Sequence, residues 1–170
     1  MNSKKEFDQV INERFSCRSF TSDRIKMEEL NYILEAGRLA PTAKNKQSER
    51  IIVVENENLL EKLKEATPCT FDAKTVLIVC YDKNACWIRS TDQKYHGEID
   101  ATIVATHMML AATSINLGST FVCAFNYDIL KNVLDLPENY IPVCMLPIGY
   151  PKEIKPHNTR LDLEDIVIYK

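Results

Sequence analysis

Apolar positions at the start of the chain recur every three to four residues, which is the spacing of one face of an α-helix. The pattern predicts a first helix near residues 4–15 and a second near 26–39, which ends before Pro41. Residues 16–24 and 42–50 are polar and carry no core-forming pattern, so we expect them to form loops.

Short apolar and β-branched runs predict strands further along the chain. Ile51–Val54 and Thr75–Tyr81 are such runs, and a charged helix near residues 57–66 separates them. The second run is apolar on both faces, which indicates a central strand. Thr120–Ala124 and Ile141–Ile148 predict two more strands, and two prolines in the last favour an edge position or irregular ends.

The segment 98–116 predicts a long helix with apolar groups nearly all the way round. Such a helix must be covered on more than one side, and in so small a domain this indicates a partner subunit. Asn126 is placed to cap a short helix that stops at Pro137. The apolar run 166–169 near the end predicts a strand that adds to another sheet, such as a partner's. The fold class expected from this order is α+β.

Composition and charge limit the class of protein. The 170 residues suit one domain spanning 1–170, with 45% hydrophobic and 26% charged residues. A net charge of -3 argues against a general nucleic-acid or acidic-membrane binder. The charged start lacks the apolar core of a secretory signal, and the apolar segment 99–117 contains polar residues that do not suit a membrane span. We therefore expect a cytoplasmic protein.

Six cysteines are scattered without a C-x-x-C pair, and three histidines show no metal-ligand spacing. We expect reduced thiols, mostly buried, and no metal. The chain also lacks G-x-G-x-x-G and Walker sequences, so a nucleotide-type cofactor would need side chains to hold its phosphate. No Ser-His-Asp, Cys-His or paired-carboxylate arrangement indicates a catalytic side chain.

Two segments carry side chains suited to a phosphorylated, planar ligand. Residues 14–20 place Arg14 and Arg18 beside serines, and arginine presents a planar fork of donors matched to phosphate oxygens. Residues 40–47 offer hydroxyl and amide groups between a helix and a strand. Taken alone, the first segment is more simply a solvated helix end, and the second is more simply a connecting loop.

Two further segments add small residues and positive charge. Residues 116–125 contain small side chains that let backbone amides approach a flat ligand closely. Residues 148–151 precede His157 and Arg160, and Arg160 offers another positive group. Taken alone, these segments are a turn and a surface tail.

In this order and at these spacings, the four segments resemble the nitroreductase family of flavin enzymes. Residues 14–20 resemble the family's R-x-S-x-R/K-x-F segment, and residues 40–47 resemble its A-P-S-x-x-N-x-Q loop. Residues 117–120 resemble its G-L-G-S segment, and residues 148–151 with Arg160 resemble its terminal G-Y-P…R pattern. The resemblance spans about residues 7–168.

The resemblance implies an α+β homodimer with a central, mostly antiparallel sheet, C-terminal exchange between subunits, and FMN in the interface. The first segment and Arg160 are then expected at the phosphate, ribityl chain and pyrimidine edge, the 40–47 loop at the flavin of the other subunit, and the backbone of 122–124 beside the flavin N5. The implied FMN-binding residues are Arg14, Phe15, Ser16, Cys17, Arg18, Pro41, Thr42, Asn45, Gln47, Val122, Cys123, Ala124 and Arg160.

The family pattern also implies the chemistry. The flavin would accept a hydride from NADH or NADPH and pass electrons to a quinone, nitroaromatic or similar conjugated acceptor in a ping-pong scheme. Arg18 would stabilise the anionic reduced flavin, and no side chain is expected to act as nucleophile or general base. Trp87 and Arg89 either line the pocket or belong to an ordinary surface loop, and Cys123 is more simply a small residue than a redox thiol.

The chain departs from the family pattern at two places, and three rival functions stay open. Ser48-Glu49-Arg50 replaces the usual Pro-Trp after the glutamine, and Asn158 replaces a basic residue. The rivals are a specialised relative that dehalogenates an aromatic or consumes the flavin, a protein that stores or senses FMN, and an interaction module without cofactor. A specialised relative usually carries an added lid, for which 170 residues leave little room.

Overall fold

The computed structural model describes residues 4–155 and 159–170. Its centre is a four-stranded sheet in the order β1-β2-β4-β3, in which every neighbouring pair is antiparallel. The strands are β1 (Glu49–Val54), β2 (Thr75–Asp82), β3 (Gly118–Ser119) and β4 (Tyr140–Gly149). The α+β class and the antiparallel sheet predicted from the sequence are confirmed.

Six α-helices surround the sheet in the part of the chain that the structure describes. They are α1 (Phe7–Glu13), α2 (Met27–Arg38), α3 (Glu57–Ala66), α4 (Gly97–Ser114), α5 (Tyr127–Val133) and α6 (Leu163–Ile166). The predicted cap of α5 is confirmed, because the backbone N–H of Ile129 donates to the side chain of Asn126 at 3.0 Å. Helix α4 packs on the sheet and on α2, and a buried core lies between them.

Strand β2 is central, as its two apolar faces predict. Strand β4 has the irregular ladder near one end that its prolines favour, but it does not occupy the edge position that was the other alternative. It pairs with β2 along its length and with β3 at Gly118↔Gly149 and Ser119↔Ile148. The register shift between Val79 and Cys80 lies opposite the part of β4 that contains Pro142, and an irregular ladder is a position at which proline is tolerated.

One further expectation from the sequence was wrong in detail. The predicted strand 120–124 is reduced to an isolated bridge between Val122 and Met145, while the strand itself lies at 118–119. The strand at 166–169, expected to add to another sheet such as a partner's, stays a prediction: within this chain α6 ends at Ile166 and the following residues have no regular structure. Ile168 and Tyr169 are exposed, at 82% and 90%.

Helix α4 is tightly packed at its start and partly exposed along one side. Its start packs so tightly on β2 that a Cβ on Gly97 would lie 2.0 Å from the ring of Tyr81. Its outward side keeps Ile99 47% exposed, with Ile103 and Leu110 partly exposed, although the other sides are buried. The all-round apolar pattern therefore leaves one side of α4 uncovered in a single chain. No helix among the described residues has the length and apolar character needed to cross a membrane.

Candidate flavin site

The N-terminal segment runs extended from α1 and docks on the turn that follows α4. Ser16 forms a parallel bridge with Ser119, and the backbone N–H of Cys17 donates to the carbonyl of Ser119 at 3.0 Å. The hydroxyl of Thr120 donates to the carbonyl of Cys17. Because neighbouring side chains of an extended segment alternate, Cys17 is buried while Ser16 and Arg18 are exposed.

Gly118 permits this docking. A Cβ on Gly118 would lie 2.7 Å from both Cβ and Sγ of Cys17, closer than real contacts allow. The glycine of the 117–120 segment therefore serves the approach of two protein segments to each other. Burial raises the pKa of the Cys17 thiol, so this cysteine is a protonated packing residue near neutral pH.

The C-terminal segment joins the same structure from the other side. Phe20 forms an antiparallel bridge with Pro151, and the N–H of Thr21 donates to the carbonyl of Tyr150 at 2.9 Å. The N–H of Lys152 donates to the carbonyl of Ser19 at 3.0 Å. Three of the four segments singled out in the sequence thus form one continuous surface.

Two cations meet beside this surface. Arg14 is the partly buried C-terminal cap residue of α1, and Arg160 lies on the tail after β4. Burial, followed by the positive charge of Arg160, lowers the pKa of the Arg14 guanidinium. Placing two guanidinium groups close together costs electrostatic energy unless an anion lies between or beside them. The donor set therefore fits a phosphorylated ligand.

A buried hydroxyl and two cavities lie beside the docked 14–20 segment. The Oγ of Ser119 is buried without a hydrogen-bond partner among the described residues. A cavity of about 590 Å³ lies at the C-terminal end of α4, where it is lined by Phe15, Gly118 and Lys155 among others. A smaller one of about 70 Å³ is lined by residues 15–19, Glu153 and Lys155. Lys155 borders both cavities.

The second segment forms a tight loop over residues 41–47, at the opposite end of α4. The N–H of Ala43 donates to Oδ1 of Asp100 at 2.9 Å, and the N–H of Gln47 donates to Oγ1 of Thr42 at 3.1 Å. Asn45 and Gln47 adopt positive φ angles of 53° and 48°, which L-residues rarely adopt. Pro41, Asn45 and Gln47 are exposed, and Thr42 is partly exposed.

Residues 122–124 continue from the docking turn along β4. Val122 is buried, but Cys123 and Ala124 are exposed, so Cys123 is an exception to the mostly buried thiols expected from the sequence. The carbonyl of Ala124 accepts from Oγ1 of Thr67 at 2.5 Å. Burial and then the charge of Glu98 raise the pKa of the Cys123 thiol, which does not favour a reactive thiolate at this position.

The 14–20 segment and the 41–47 loop attach near opposite ends of α4 within one chain. The chain before α1 and the 14–20 segment contacts the last turn of α4, where the N–H of Lys5 donates to the carbonyl of Ser114 at 3.0 Å. The 41–47 loop is held at Asp100 in the first turn. At 1.5 Å per residue, these two attachment points lie about 20 Å apart along the helix.

Sequence reasoning missed two residues that the structure brings to these places. Lys155 lines both cavities, and its signal was a lysine a few residues after the 148–151 segment. Asp100 is only 2% exposed, and its signal was an acidic residue within a predominantly apolar helix. His157 and Asn158, considered in the sequence, lie outside the described residues.

The stretch before α4, which contains Trp87 and Arg89, forms a small hairpin. Ile88 bridges Tyr95, and the ring of Trp87 lies 4.6 Å from that of His96. The guanidinium of Arg89 pairs with Asp92 and lowers the pKa of that carboxyl to about 2. Arg89 is therefore engaged within its own turn.

Comparison with known proteins agrees with this arrangement. The model of the nitroreductase family matches residues 11–74 and 67–150. A nitroreductase family protein of Clostridium difficile 630 has a crystal structure that superposes with a TM-score of 0.93 at 37% identity, covering 98% of this chain and 99% of that one.

Two curated relatives are similar over most of their length. The FMN reductase (NAD(P)H) of Bacillus subtilis is 28% identical over an alignment of 179 positions, which covers 95% of this chain and 72% of the relative. A protein of Methanothermobacter thermautotrophicus, provisionally named an NADH dehydrogenase/NAD(P)H nitroreductase, is 28% identical over 163 residues, 89% of this chain and 80% of its own. With the fold, the docking of the first, third and fourth segments, and the match over most of the chain, the protein belongs to the nitroreductase family.

Proposed function

We propose that this protein is a homodimeric, FMN-dependent oxidoreductase that takes electrons from NADH or NADPH and passes them to quinones, nitroaromatics or similar conjugated acceptors. Its membership of the nitroreductase family and its similarity to relatives named for FMN and NAD(P)H support this assignment. The single observation that carries the proposal is the docking of the 14–20 segment on Ser119 and on residues 150–152, which gathers three of the four family segments into one surface.

The chain's own residues bind and orient the cofactor. Arg14 and Arg160 hold the phosphate, and Ser16 adds a neutral donor. Arg18, exposed on the same side of the extended segment, supplies positive charge at the pyrimidine edge, where negative charge develops on reduction. When bound, the flavin supplies the transfer of reducing equivalents between the nicotinamide and the acceptor.

The remaining assigned residues form the walls of the site. The exposed backbone at Cys123 and Ala124 is open to the flavin N5 region, and Val122 anchors that stretch to β4 through Met145. We call residues 14–20 the phosphate segment. Phe15 and Cys17 are its packing residues, since Phe15 lines the larger cavity and Cys17 is buried. Hydride donor and acceptor use the same open face in turn, which is a ping-pong scheme.

The second subunit completes each site. Pro41, Thr42, Asn45 and Gln47 lie at the far end of α4 from the phosphate segment, so we assign their contact to the flavin of the partner. Antiparallel packing of the uncovered α4 sides would bring the first turn of one helix near the last turn of the other. The exposed apolar residues at 166–169 provide the C-terminal exchange between subunits.

An absorbance experiment tests the function. Purified untagged protein should carry a yellow flavin spectrum that bleaches rapidly on anaerobic addition of NADH or NADPH. The spectrum should return on addition of a quinone or nitroaromatic acceptor. Release of FMN after mild denaturation identifies the cofactor.

Each rival function gives a different outcome. A colourless protein that does not take up added FMN contradicts the flavin assignment. Bound FMN that resists both reduced nicotinamides indicates storage or sensing, and loss of the flavin spectrum without recovery indicates a flavin-consuming relative.

A further inference from the structure

We propose that Asp100 is a positioning residue for the flavin: its buried carboxylate fixes the 42–47 loop in the shape with which that loop meets the partner subunit's cofactor. This inference rests on the proposed function for the identity of the ligand. The role of Asp100 in fixing the loop is a separate matter and is measurable without the cofactor.

The placement of Asp100 is suited to holding a backbone segment. It lies in the first turn of α4, is 2% exposed, and its Oδ1 accepts from the N–H of Ala43 at 2.9 Å. The unpaired N–H groups and dipole at a helix start stabilise a carboxylate there. This rigid helix therefore presents a fixed acceptor to an otherwise exposed loop.

The loop requires such an anchor. Lys44, Asn45 and Gln47 have φ angles of 54°, 53° and 48°, in the left-handed region that side chains disfavour. A backbone with several such residues persists only where its surroundings determine it. Thr42 supplies one anchor from inside the loop, by accepting from the N–H of Gln47 at 3.1 Å. Asp100 supplies the anchor from the rest of the fold.

The two oxygens of the Asp100 carboxylate differ in their hydrogen bonding. Its Oδ2 is buried and has no hydrogen-bond partner within residues 4–155 and 159–170. A buried carboxylate with one oxygen unused costs free energy relative to a fully paired one. Global stability therefore does not explain the presence of an aspartate at this position, whereas its hydrogen bond to the N–H of Ala43 does.

Three variants separate positioning from folding. Asp100→Ala removes the acceptor and should weaken FMN binding by about 10-fold, the loss of one hydrogen bond to a charged group. Asp100→Asn keeps an acceptor oxygen and should restore FMN affinity to within about 3-fold of wild type. Glu28→Ala, an exposed acidic residue in the first turn of α2, is the matched control. The measurements are FMN fluorescence quenching, visible circular dichroism of bound FMN, and amide hydrogen exchange at residues 43–47.

Exchange at residues 43–47 should accelerate in Asp100→Ala and not in the asparagine or control variants. Wild-type FMN affinity in Asp100→Ala, or weakened affinity with unchanged exchange in the loop, overturns the proposal. Should the alanine variant not fold, Asp100→Glu keeps the charge but displaces the acceptor, and wild-type binding by that variant is equally contrary. A wild-type protein that does not bind FMN contradicts the proposed function instead, and loop exchange still decides the role of Asp100.

Discussion

At the scale of single residues, positive charge does most to define the site. Arg14 and Arg160 come from opposite ends of the chain, and the pKa of Arg14 falls through burial and the neighbouring cation. In the proposed site, a bound phosphate would offset the repulsion between these two cations. Arginine rather than lysine suits this role because its planar donor fork matches phosphate oxygens.

Replacing Arg14 by alanine should weaken FMN binding by about 1.5–3 kcal/mol, the value of a hydrogen bond to a charged group. Arg18→Ala should cost a similar amount through the pyrimidine edge. Arg38→Ala is the control, because Arg38 is exposed and pairs with Glu35 on α2, away from the site. Titration of apo-protein with FMN measures the effect, and unchanged affinity in Arg14→Ala would remove that residue from the phosphate site.

A partly buried phenol near the site sets a second expectation. Tyr150 donates to Oε2 of Glu29 at 2.6 Å, and burial, followed by this hydrogen bond and the charge of Glu29, raises the pKa of Tyr150 to about 12. A folded-state pKa above the unfolded value stabilises the fold below the unfolded pKa, and that stability is lost as the pH rises through the folded one. Unfolding free energy should therefore fall between pH 10 and about 12. Tyr150→Phe should flatten this fall in denaturant titrations, whereas an unchanged slope would assign it to other groups.

At the scale of elements, the sequence predicted those whose pattern is local. Helix α4 shows its apolar character over eighteen residues, and β2 shows two apolar faces in one run. The interior position of β4 was missed because pairing depends on β2 and β3, which lie far away in sequence, while prolines act locally and favour an edge. The strand predicted at the end of the chain stays a prediction, because Ile168 and Tyr169 are exposed in a single chain and the predicted pairing is with another sheet.

For the proposed site, too, local sequence features were predictable and contacts between distant segments were not. The family motifs located the arginines and the 41–47 loop, since these are sequence features. Neither composition nor periodicity indicated that Asp100 holds the loop or that Gly118 receives Cys17, because both depend on contacts between segments distant in the chain.

The contact of Gly118 with Cys17 yields a prediction for the docking of two elements. Gly118→Ala places a Cβ 2.7 Å from Cβ and Sγ of Cys17, so the phosphate segment must shift and its hydrogen bond to Ser119 weakens. Overpacking of this kind costs about 1–3 kcal/mol of stability, and we expect FMN affinity to fall with it.

Gly37→Ala is the contrasting variant. Its Cβ would meet Cγ of Met108 at 2.9 Å, but methionine is flexible and alanine favours the helix, so the loss of stability should be smaller. Thermal unfolding with and without FMN distinguishes the two. Equal losses in both variants would show that the approach at Gly118 is not special.

At the scale of the whole molecule, the two segments assigned to the proposed site attach near opposite ends of α4 in one chain. The phosphate segment follows the last turn and the 41–47 loop lies on the first. A two-fold symmetric dimer repeats each half twice, so it forms two sites, each from one phosphate segment and one loop of different subunits. A monomeric enzyme would need both halves from one chain, which the length of α4 separates.

Mixing two defective variants tests this arrangement directly. Arg14→Ala damages the phosphate segment, and Asn45→Glu places a negative charge on the loop that faces the flavin. Each homodimer should bind little FMN, but a heterodimer contains one site with both defects and one site with neither. Unfolding the two variants together and refolding them should restore roughly one quarter of wild-type FMN binding and NAD(P)H oxidation if subunits pair at random. Mixing the variants after separate refolding, without subunit exchange, is the control. If both halves of a site came from the same chain, every site would carry one defect in any mixture, and no binding would return.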